Sequence, residues 1–317
     1  MIAEGTRTRA GRRRPRRLRV GDRIALVAPA SPVRAEDLDR GADELRALGF
    51  EPVHDRRVLD RHGYVAGLPQ ARVAALAEAW QDASIRGVIA VRGGYGSQQL
   101  LPLLDPRWIA DDPKVFVGYS DLTALLTWQL AHGTVAFHGP MAEGRLALGA
   151  AGYDRASLLA AVAQPVPMGT LAPAGLEVFR HGDASGVLLG GTITQLAALL
   201  GTPYACIPRE PTILFLEDVG ERPYRLDRLL TQLHQAGMFR RVTGLLLGAF
   251  PGCDEAGGGP TADAVLRDLL AHFPGPVVFG FPSGHGARPT LTLPFGVDAR
   301  LTTAPAPALS IEEAAVC

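Results

Sequence analysis

Apolar positions in the first half of the chain alternate between strand-like runs and helical stripes. Residues 23–31 hold Ile24-Ala25-Leu26-Val27-Ala28, which predicts a buried strand running into a turn. Leu38, Ala42, Leu45 and Leu48 recur at helical spacing over 37–48, and Gly49 closes that helix. A second strand begins at Glu51-Pro52-Val53, and Val73, Ala74, Leu76 and Trp80 stripe a second helix over 71–80. A third strand over 87–91 empties into Arg92-Gly93-Gly94-Tyr95-Gly96-Ser97, with a helix from about 98 to 104. Val115-Phe116-Val117 is the next strand. Gly118-Tyr119-Ser120-Asp121 follows it, and then Leu122, Leu125, Leu126, Gln129 and Leu130 form a helical stripe ending at Gly133. Strands alternating with helices predict βαβ units and a mostly parallel sheet, whose ligands sit beyond the carboxyl ends of the strands.

Between 164 and 180 the pattern lapses. Pro165, Pro167, Gly169, Pro173 and Gly175 predict an inter-domain linker, set at 164–184. The domains expected on either side are 20–163 and 185–311. In the second, strands are predicted at 185–191, 212–216, 243–250 and 277–281, and helices at 193–200 and 223–235. Residues 252–260 read as a surface loop, and 290–296 with 298–301 as a closing hairpin.

The 317 residues are 47% apolar and 20% charged with a formal net charge of zero, which fits a full core and gives no general preference for nucleic acid or anionic membrane. Residues 1–19 depart from that balance: Arg7, Arg9, Arg12, Arg13, Arg14, Arg16, Arg17 and Arg19 face only Glu4, which predicts a disordered, solvated extension. No apolar region follows those arginines as in a secretory signal, and no stretch has the apolar length of a membrane span. Cys206, Cys253 and Cys317 form neither a disulfide framework nor a zinc signature. A reducing, cytoplasmic setting is the expectation.

Candidate chemistry falls at strand ends. A serine in a tight strand-to-helix turn exposes its hydroxyl, and the amide of Asp121 at the helix start is placed to donate to an oxyanion. The same residues equally describe a turn in which Ser120 or Asp121 is merely a helix cap. Glu217 ends an apolar strand, and it reads either as a functional carboxylate or as a solvated strand end. Asp218 and Glu221 compete with it. His285, flanked by Gly284 and Gly286, is the foremost base candidate among the eight histidines, ahead of His138, which reads as a turn residue. A serine needs an imidazole to take its proton and a carboxylate to orient that imidazole, so Ser120, Glu217 and His285 are compatible with a triad. The backbone amide of Gly94 is the choice to join Asp121 in an oxyanion hole. A phosphate-cradling reading of the Gly93-Gly94 loop lacks the Lys-Ser/Thr ending of a Walker motif, and no metal-binding motif is present.

Arg92-Gly93-Gly94-Tyr95-Gly96, Gly118-Tyr119-Ser120-Asp121, His138-Gly139-Pro140-Met141, Gly190-Gly191, Phe215-Leu216-Glu217-Asp218-Val219-Gly220-Glu221 and Gly284-His285-Gly286 occur in that order. Together, over about residues 20–301, they resemble the LD-carboxypeptidases of serine peptidase family S66, which also contains the microcin C7 immunity enzymes. The resemblance implies a flavodoxin-like or Rossmann-like N-terminal α/β domain, a smaller swivelling C-terminal β/α domain, a homodimer, and no metal or cofactor. It implies Ser120 as nucleophile, His285 as base and then acid, Glu217 as the orienting carboxylate, and Gly94 and Asp121 as oxyanion donors. The implied reaction removes the terminal D-alanine of murein tetrapeptides in peptidoglycan recycling. Arg92, with Gly93 and Tyr95, is the candidate to bind the substrate; Arg222 or Arg225 is a structural partner of nearby acids. The family usually has Asn after the glycine pair where this chain has Thr192, which leaves the role of that position open. The immunity branch tends to carry an inter-domain tryptophan, and residues 160–185 contain none. On this reading, removing residues 1–18 leaves activity unchanged.

Overall fold

Five parallel strands at the front of the chain hold the first half together. The computed structural model describes residues 7–286 and 289–317. The first five strands are β1 (Arg23–Val27), β2 (Glu51–Val53), β3 (Ile85–Ala90), β4 (Val115–Gly118) and β5 (Ala136–His138). Between them run helices α1 (Ala35–Ala47), α2 (Pro69–Gln81), the short α3 (Arg107–Ala110) and α4 (Thr123–Ala131), with α5 (Arg155–Ala163) after β5. The region expected as a helix near residue 98 is a 3₁₀ segment, Ser97–Leu103, with Pro102 inside it. A proline there cannot sustain an α-helical ladder. The five strands lie in the order β2-β1-β3-β4-β5, the flavodoxin-like arrangement. The strand order reverses between β1 and β3, so the loops leaving them, with Ser31 and with Arg92–Tyr95, open on one crevice.

The second half is built on β6 (Gly169–Leu171), β7 (Glu177–Arg180), β8 (Asp183–Thr192), β9 (Thr212–Glu217), β10 (Val242–Leu247), β11 (Val277–Phe279), β12 (Leu293–Phe295), β13 (Asp298–Thr302) and β14 (Ala308–Ile311). Helices α6 (Ile193–Ala198), α7 (Pro223–Gln235) and α8 (Ala262–Leu269) complete it. The second sheet has the order β6-β14-β13-β8-β9-β10-β11-β7, with β8 to β11 parallel and the outer strands antiparallel.

Three expectations change. The segment 164–184 is not a bare linker, because β6 and β7 within it pair with β14 and β11 at the two edges of the second sheet. Residues 290–301 do not close a hairpin. β12 leaves the second half and pairs antiparallel with β5 of the first sheet, while β13 stays between β8 and β14. That crossover places Phe295 in a buried apolar cluster that also holds Phe137, Phe215 and Phe281, so the two sheets share one core. A second cluster lies under α7 and α8, around Leu226, Leu230, Leu233 and Leu266.

The arginine-rich start is also not a solvated extension over its described part, residues 7–19. Arg13 donates its backbone N–H to Gly133 O (2.7 Å) and accepts from Val135 N–H (3.1 Å), both in the first half. Arg12 pairs with Glu210 at 2.6 Å, Arg14 with Glu313 at 3.4 Å and Arg9 with Asp298 at 3.3 Å, all in the second. Cys317 N–H donates to Pro15 O at 3.0 Å and Arg17 N–H to Cys317 O at 2.8 Å, so the two ends of the chain pair. Leu18 is buried in the core, with its N–H on Val162 O. The carboxylates that neutralise this arm lie about two hundred or more residues away, which hides the pairing from local charge patterning. Removing residues 1–17 therefore costs stability: a loss of about 2–3 kcal/mol is expected, read by calorimetry as a drop of roughly 3–5 °C in Tm.

Candidate active site

β4 is short, apolar and fully buried, and the chain leaves it through Tyr119 into a 3₁₀ turn, Ser120–Leu122, that leads into α4. Ser120 sits there with φ of +63°, alone among the described non-glycine residues in having a positive φ. Such backbone costs about 1–3 kcal/mol and persists where the surroundings enforce it, as at a nucleophile elbow. Neither the 3₁₀ turn nor α4 has a side-chain cap hydrogen bond, so the helix-cap reading of Ser120 and Asp121 does not hold. Asp121 points instead to the glycine loop: its carboxylate accepts from Ser97 N–H (2.8 Å) and its carbonyl from the Ser97 hydroxyl (2.5 Å). Burial raises the pKa of this carboxyl, against the amides of Ser97 and Gly96.

That loop passes directly over the serine. A Cβ on Gly93 would lie 2.9 Å from Ser120 Cβ and 3.2 Å from its Oγ, so a side chain there is incompatible with the approach. Ser31, at the end of the β1 turn, fixes the loop from the other side. Its N–H donates to Gly93 O (3.0 Å), and its hydroxyl accepts from Tyr95 N–H (3.1 Å) while donating to Tyr64 O (2.9 Å). Arg92 donates to Pro32 O at 3.0 Å and lies 3.5 Å from Glu143. Tyr95 is exposed and packs edge-on against Tyr64 with ring centroids 5.3 Å apart.

From the second sheet, Glu217 is the last residue of β9 and is fully buried. Its Oε2 accepts from His285 Nδ1 at 2.6 Å and from the His285 backbone N–H at 3.0 Å. Its Oε1 accepts from the Thr192 hydroxyl at 2.5 Å. Thr192 and Glu217 are register partners on β8 and β9, which is why the hydroxyl reaches the carboxylate. The Thr192 N–H in turn donates to Thr123 Oγ1 at 3.1 Å, in the first turn of α4. Gly284 has φ of +79°, and a Cβ there would lie 2.7 Å from Glu217 Cδ, so the glycine before His285 is what lets the loop close on the carboxylate. Burial alone would raise Glu217, but the hydrogen bond and charge of His285, with His138 and Thr192, hold it below its ordinary value. Ionised Glu217 thus adds stability present above the unfolded carboxylate range and lost as pH falls through the folded pKa.

An ionised Glu217 on Nδ1 fixes the proton there and leaves Nε2 of His285 as the basic nitrogen. The His285 ring meets the edge of Tyr119, the residue before Ser120, with centroids 5.1 Å apart. Elements from both sheets thus meet here: the His285–Glu217 pair of the second lies against Tyr119, the residue before Ser120, of the first.

The competing residues lie elsewhere. His138 is fully buried, and its Nδ1 meets Ser283 Oγ at 2.9 Å. Ser283 spends its own proton on Leu291 O, so His138 donates from Nδ1, and its Nε2 has no partner among the described residues. Burial pushes its pKa down to about 4, so it stays neutral. Asp218, pushed up to about 6 by burial, accepts from the N–H and hydroxyl of Thr194 and from Val219 N–H. Glu221 pairs with Arg225 at 3.5 Å, and Arg222 with Glu255. Ser31, Ser97, Thr123 and Arg145 also shape the site, and nothing in their local sequence marks them. Among the described residues no group of three or more His, Cys, Asp or Glu is arranged to hold a metal ion, and no helix is long and apolar enough to cross a membrane.

The family model for the LD-carboxypeptidase N-terminal domain of peptidase S66 matches residues 24–139, and that for the C-terminal domain matches residues 185–301. The chain belongs to the S66 LD-carboxypeptidase family. A Streptomyces coelicolor protein bearing a carboxypeptidase name is 41% identical over 312 residues, covering 96% of this chain and 97% of its own. The murein tetrapeptide carboxypeptidase of Pseudomonas aeruginosa is 34% identical over 275 residues, 85% of this chain and 90% of its own. The crystal structure of muramoyltetrapeptide carboxypeptidase from Oxalobacter formigenes is 32% identical and superposes with a TM-score of 0.81, covering 92% of this chain and 99% of that one. The wild-type apo microcin C7 self-immunity protein, at 24% identity and a TM-score of 0.87 over 96% of this chain and 99% of its own, shares the fold.

Thr192 is the residue whose place in the site is testable at once. Thr192→Val removes the donor to a fully buried carboxylate and is expected to cost about 1.5–3 kcal/mol in urea unfolding, whereas Thr192→Ser keeps the hydroxyl and costs less.

Proposed function

We propose that this chain is a serine-type LD-carboxypeptidase that hydrolyses the amide bond before a terminal D-alanine in murein tetrapeptides. The observation that carries the reading is the His285 Nδ1–Glu217 pair, held on a buried carboxylate against the residue preceding a positive-φ serine. The 34% identity to a murein tetrapeptide carboxypeptidase supplies the substrate class.

Ser120 Oγ attacks the scissile carbonyl carbon while His285 Nε2 takes its proton, and Glu217 stabilises the imidazolium through Nδ1–H. The backbone N–H groups of Asp121 and Gly94 receive the oxyanion; one such donor is worth about 3–4 kcal/mol in the barrier. Collapse of the tetrahedral intermediate breaks the C–N bond, His285 returns its proton to the leaving amine, and D-alanine departs. Water, deprotonated by His285, then attacks the acyl carbon, and His285 returns that proton to Ser120 Oγ as the ester C–O bond breaks. The leaving residue carries a carboxylate, and Arg92, beside Gly93 and Tyr95, is the cation assigned to it. The remaining assignments are a cytoplasmic location, consistent with peptide recycling and the three cysteines, and a homodimer.

Two outcomes are expected. D-Alanine is released from a purified murein tetrapeptide by the unmodified protein and not by Ser120→Ala, followed by chromatography. Release by neither directs the test to aminoacyl-nucleotide amides, the substrate class suggested by the immunity branch. Secondly, kcat/KM falls on the acid side with a slope of one proton. The base must be neutral to act, Glu217 is held ionised below its usual range, and His138 stays neutral down to about 4, so neither adds a second proton to that limb. A slope of two in the pH–rate profile would contradict this assignment.

A further inference from the structure

Ser120 hangs from the first sheet and His285 from the second, so their alignment depends on whatever ties the two loops together. The His285 loop has glycine on both sides and little of its own to fix it. Glu217 takes the His285 backbone N–H. The carbonyls on either side of His285 are both taken by one guanidinium: Nη2 of Arg145 donates to Gly284 O at 2.8 Å and to Gly286 O at 2.8 Å. Nη1 of Arg145 donates to Gly152 O at 3.3 Å, which braces the side chain against the segment leading to α5. The same guanidinium hydrogen-bonds the phenol of Tyr119, the residue that leads into Ser120 and whose ring edge meets His285.

Arg145 itself belongs to the first half. It follows the stretch after β5 in which Ala142 and Glu143 donate their N–H groups to Ala90 O (3.3 Å) and Val91 O (2.8 Å), at the carboxyl end of β3. Its backbone is therefore fixed to the sheet that carries the serine, while its planar fork grips the loop that carries the histidine. An ammonium has the charge but not the fork by which Nη1 reaches Gly152 O while Nη2 holds both loop carbonyls. The groups it is seen to hold are main-chain carbonyls and a phenol, not Ser120 Oγ or the His285 ring nitrogens.

We propose that Arg145 is the positioning residue that sets His285 against the Ser120 elbow, acting through the Gly284 and Gly286 carbonyls and the Tyr119 phenol. This rests on the assignment of Ser120 and His285 as nucleophile and base. Its role is in kcat and not in substrate binding, because a displaced base slows proton transfer while leaving the substrate's own contacts intact.

The test compares Arg145→Ala and Arg145→Lys with the unmodified protein in D-alanine release and, independently of any substrate, in the low-field NMR signal of the His285 Nδ1 proton shared with Glu217. Arg145→Ala is expected to lower kcat by about a hundredfold with KM changed less than about threefold, and to shift or broaden the Nδ1 proton signal. Arg145→Lys recovers little of either, and guanidinium ion added at sub-denaturing concentration restores part of both in Arg145→Ala. A raised KM at unchanged kcat would make Arg145 a substrate ligand and overturn the proposal. So would an unaltered Nδ1 signal together with a loss confined to Tm. If the unmodified protein releases no D-alanine, the substrate reading fails on its own, and the Nδ1 signal alone decides: displaced in Arg145→Ala, the proposal stands; unchanged, it falls.

Discussion

Burying the Glu217 carboxylate is the constraint around which the rest of the structure is arranged. Removing an ion of that size from water costs several kcal/mol even after relaxation, and the cost is met only when its lone pairs are filled with good geometry. Here three donors come from two places: the Thr192 hydroxyl on the neighbouring strand, and the backbone N–H and imidazole of His285 in the loop after β11. Each can reach because nothing intervenes. Gly284 lies against the carboxyl group where any Cβ would collide with it. The pair is thus a folding constraint and, in the proposed reaction, a chemical device, since the hydrogen bond that satisfies the carboxylate is the one that fixes the imidazole tautomer.

A carboxylate and imidazole on one sheet are useful only if the serine on the other sheet stays aligned with them. Inter-domain contacts in most chains leave room for relative motion. In this chain β12 crosses from the second half to pair with β5, Phe295 joins a core common to both sheets, and the arginine arm binds carboxylates of one half and main-chain groups of the other. Closer to the chemistry, Thr192 joins Glu217 to the first turn of α4, and Arg145 joins the histidine loop to Tyr119. These links act at different distances from the same point.

The surroundings also keep one of the two neighbouring histidines, His138, neutral. His138 and His285 both pack edge-on against Tyr119, yet one is enclosed by Phe215 and Phe295 and kept neutral, while the other faces Glu217. A second positive charge close to the imidazolium would oppose it. Enclosing His138 in apolar rings removes that charge across the pH range in which the site would act.

The first four strands of the first half, the helices α1, α2 and α4, the parallel sheet and the glycine loop at its carboxyl edge were legible in the sequence, because helical and strand periodicity are properties of neighbouring residues. So were Ser120, Glu217 and His285 as candidates, each by its position at the end of an apolar run. The tertiary structure decided which partners these residues meet. Glu217 rather than Asp218 or Glu221 meets His285 across 68 positions of chain, and Asp121 reaches the Gly96–Ser97 loop instead of capping its own helix. The arginine arm is ordered by carboxylates far along the chain, and Thr192 supports Glu217 through strand register. Short-range order follows from spacing along the chain, but the partner of a buried charge is chosen by which distant segments the packing of two sheets brings within hydrogen-bond reach.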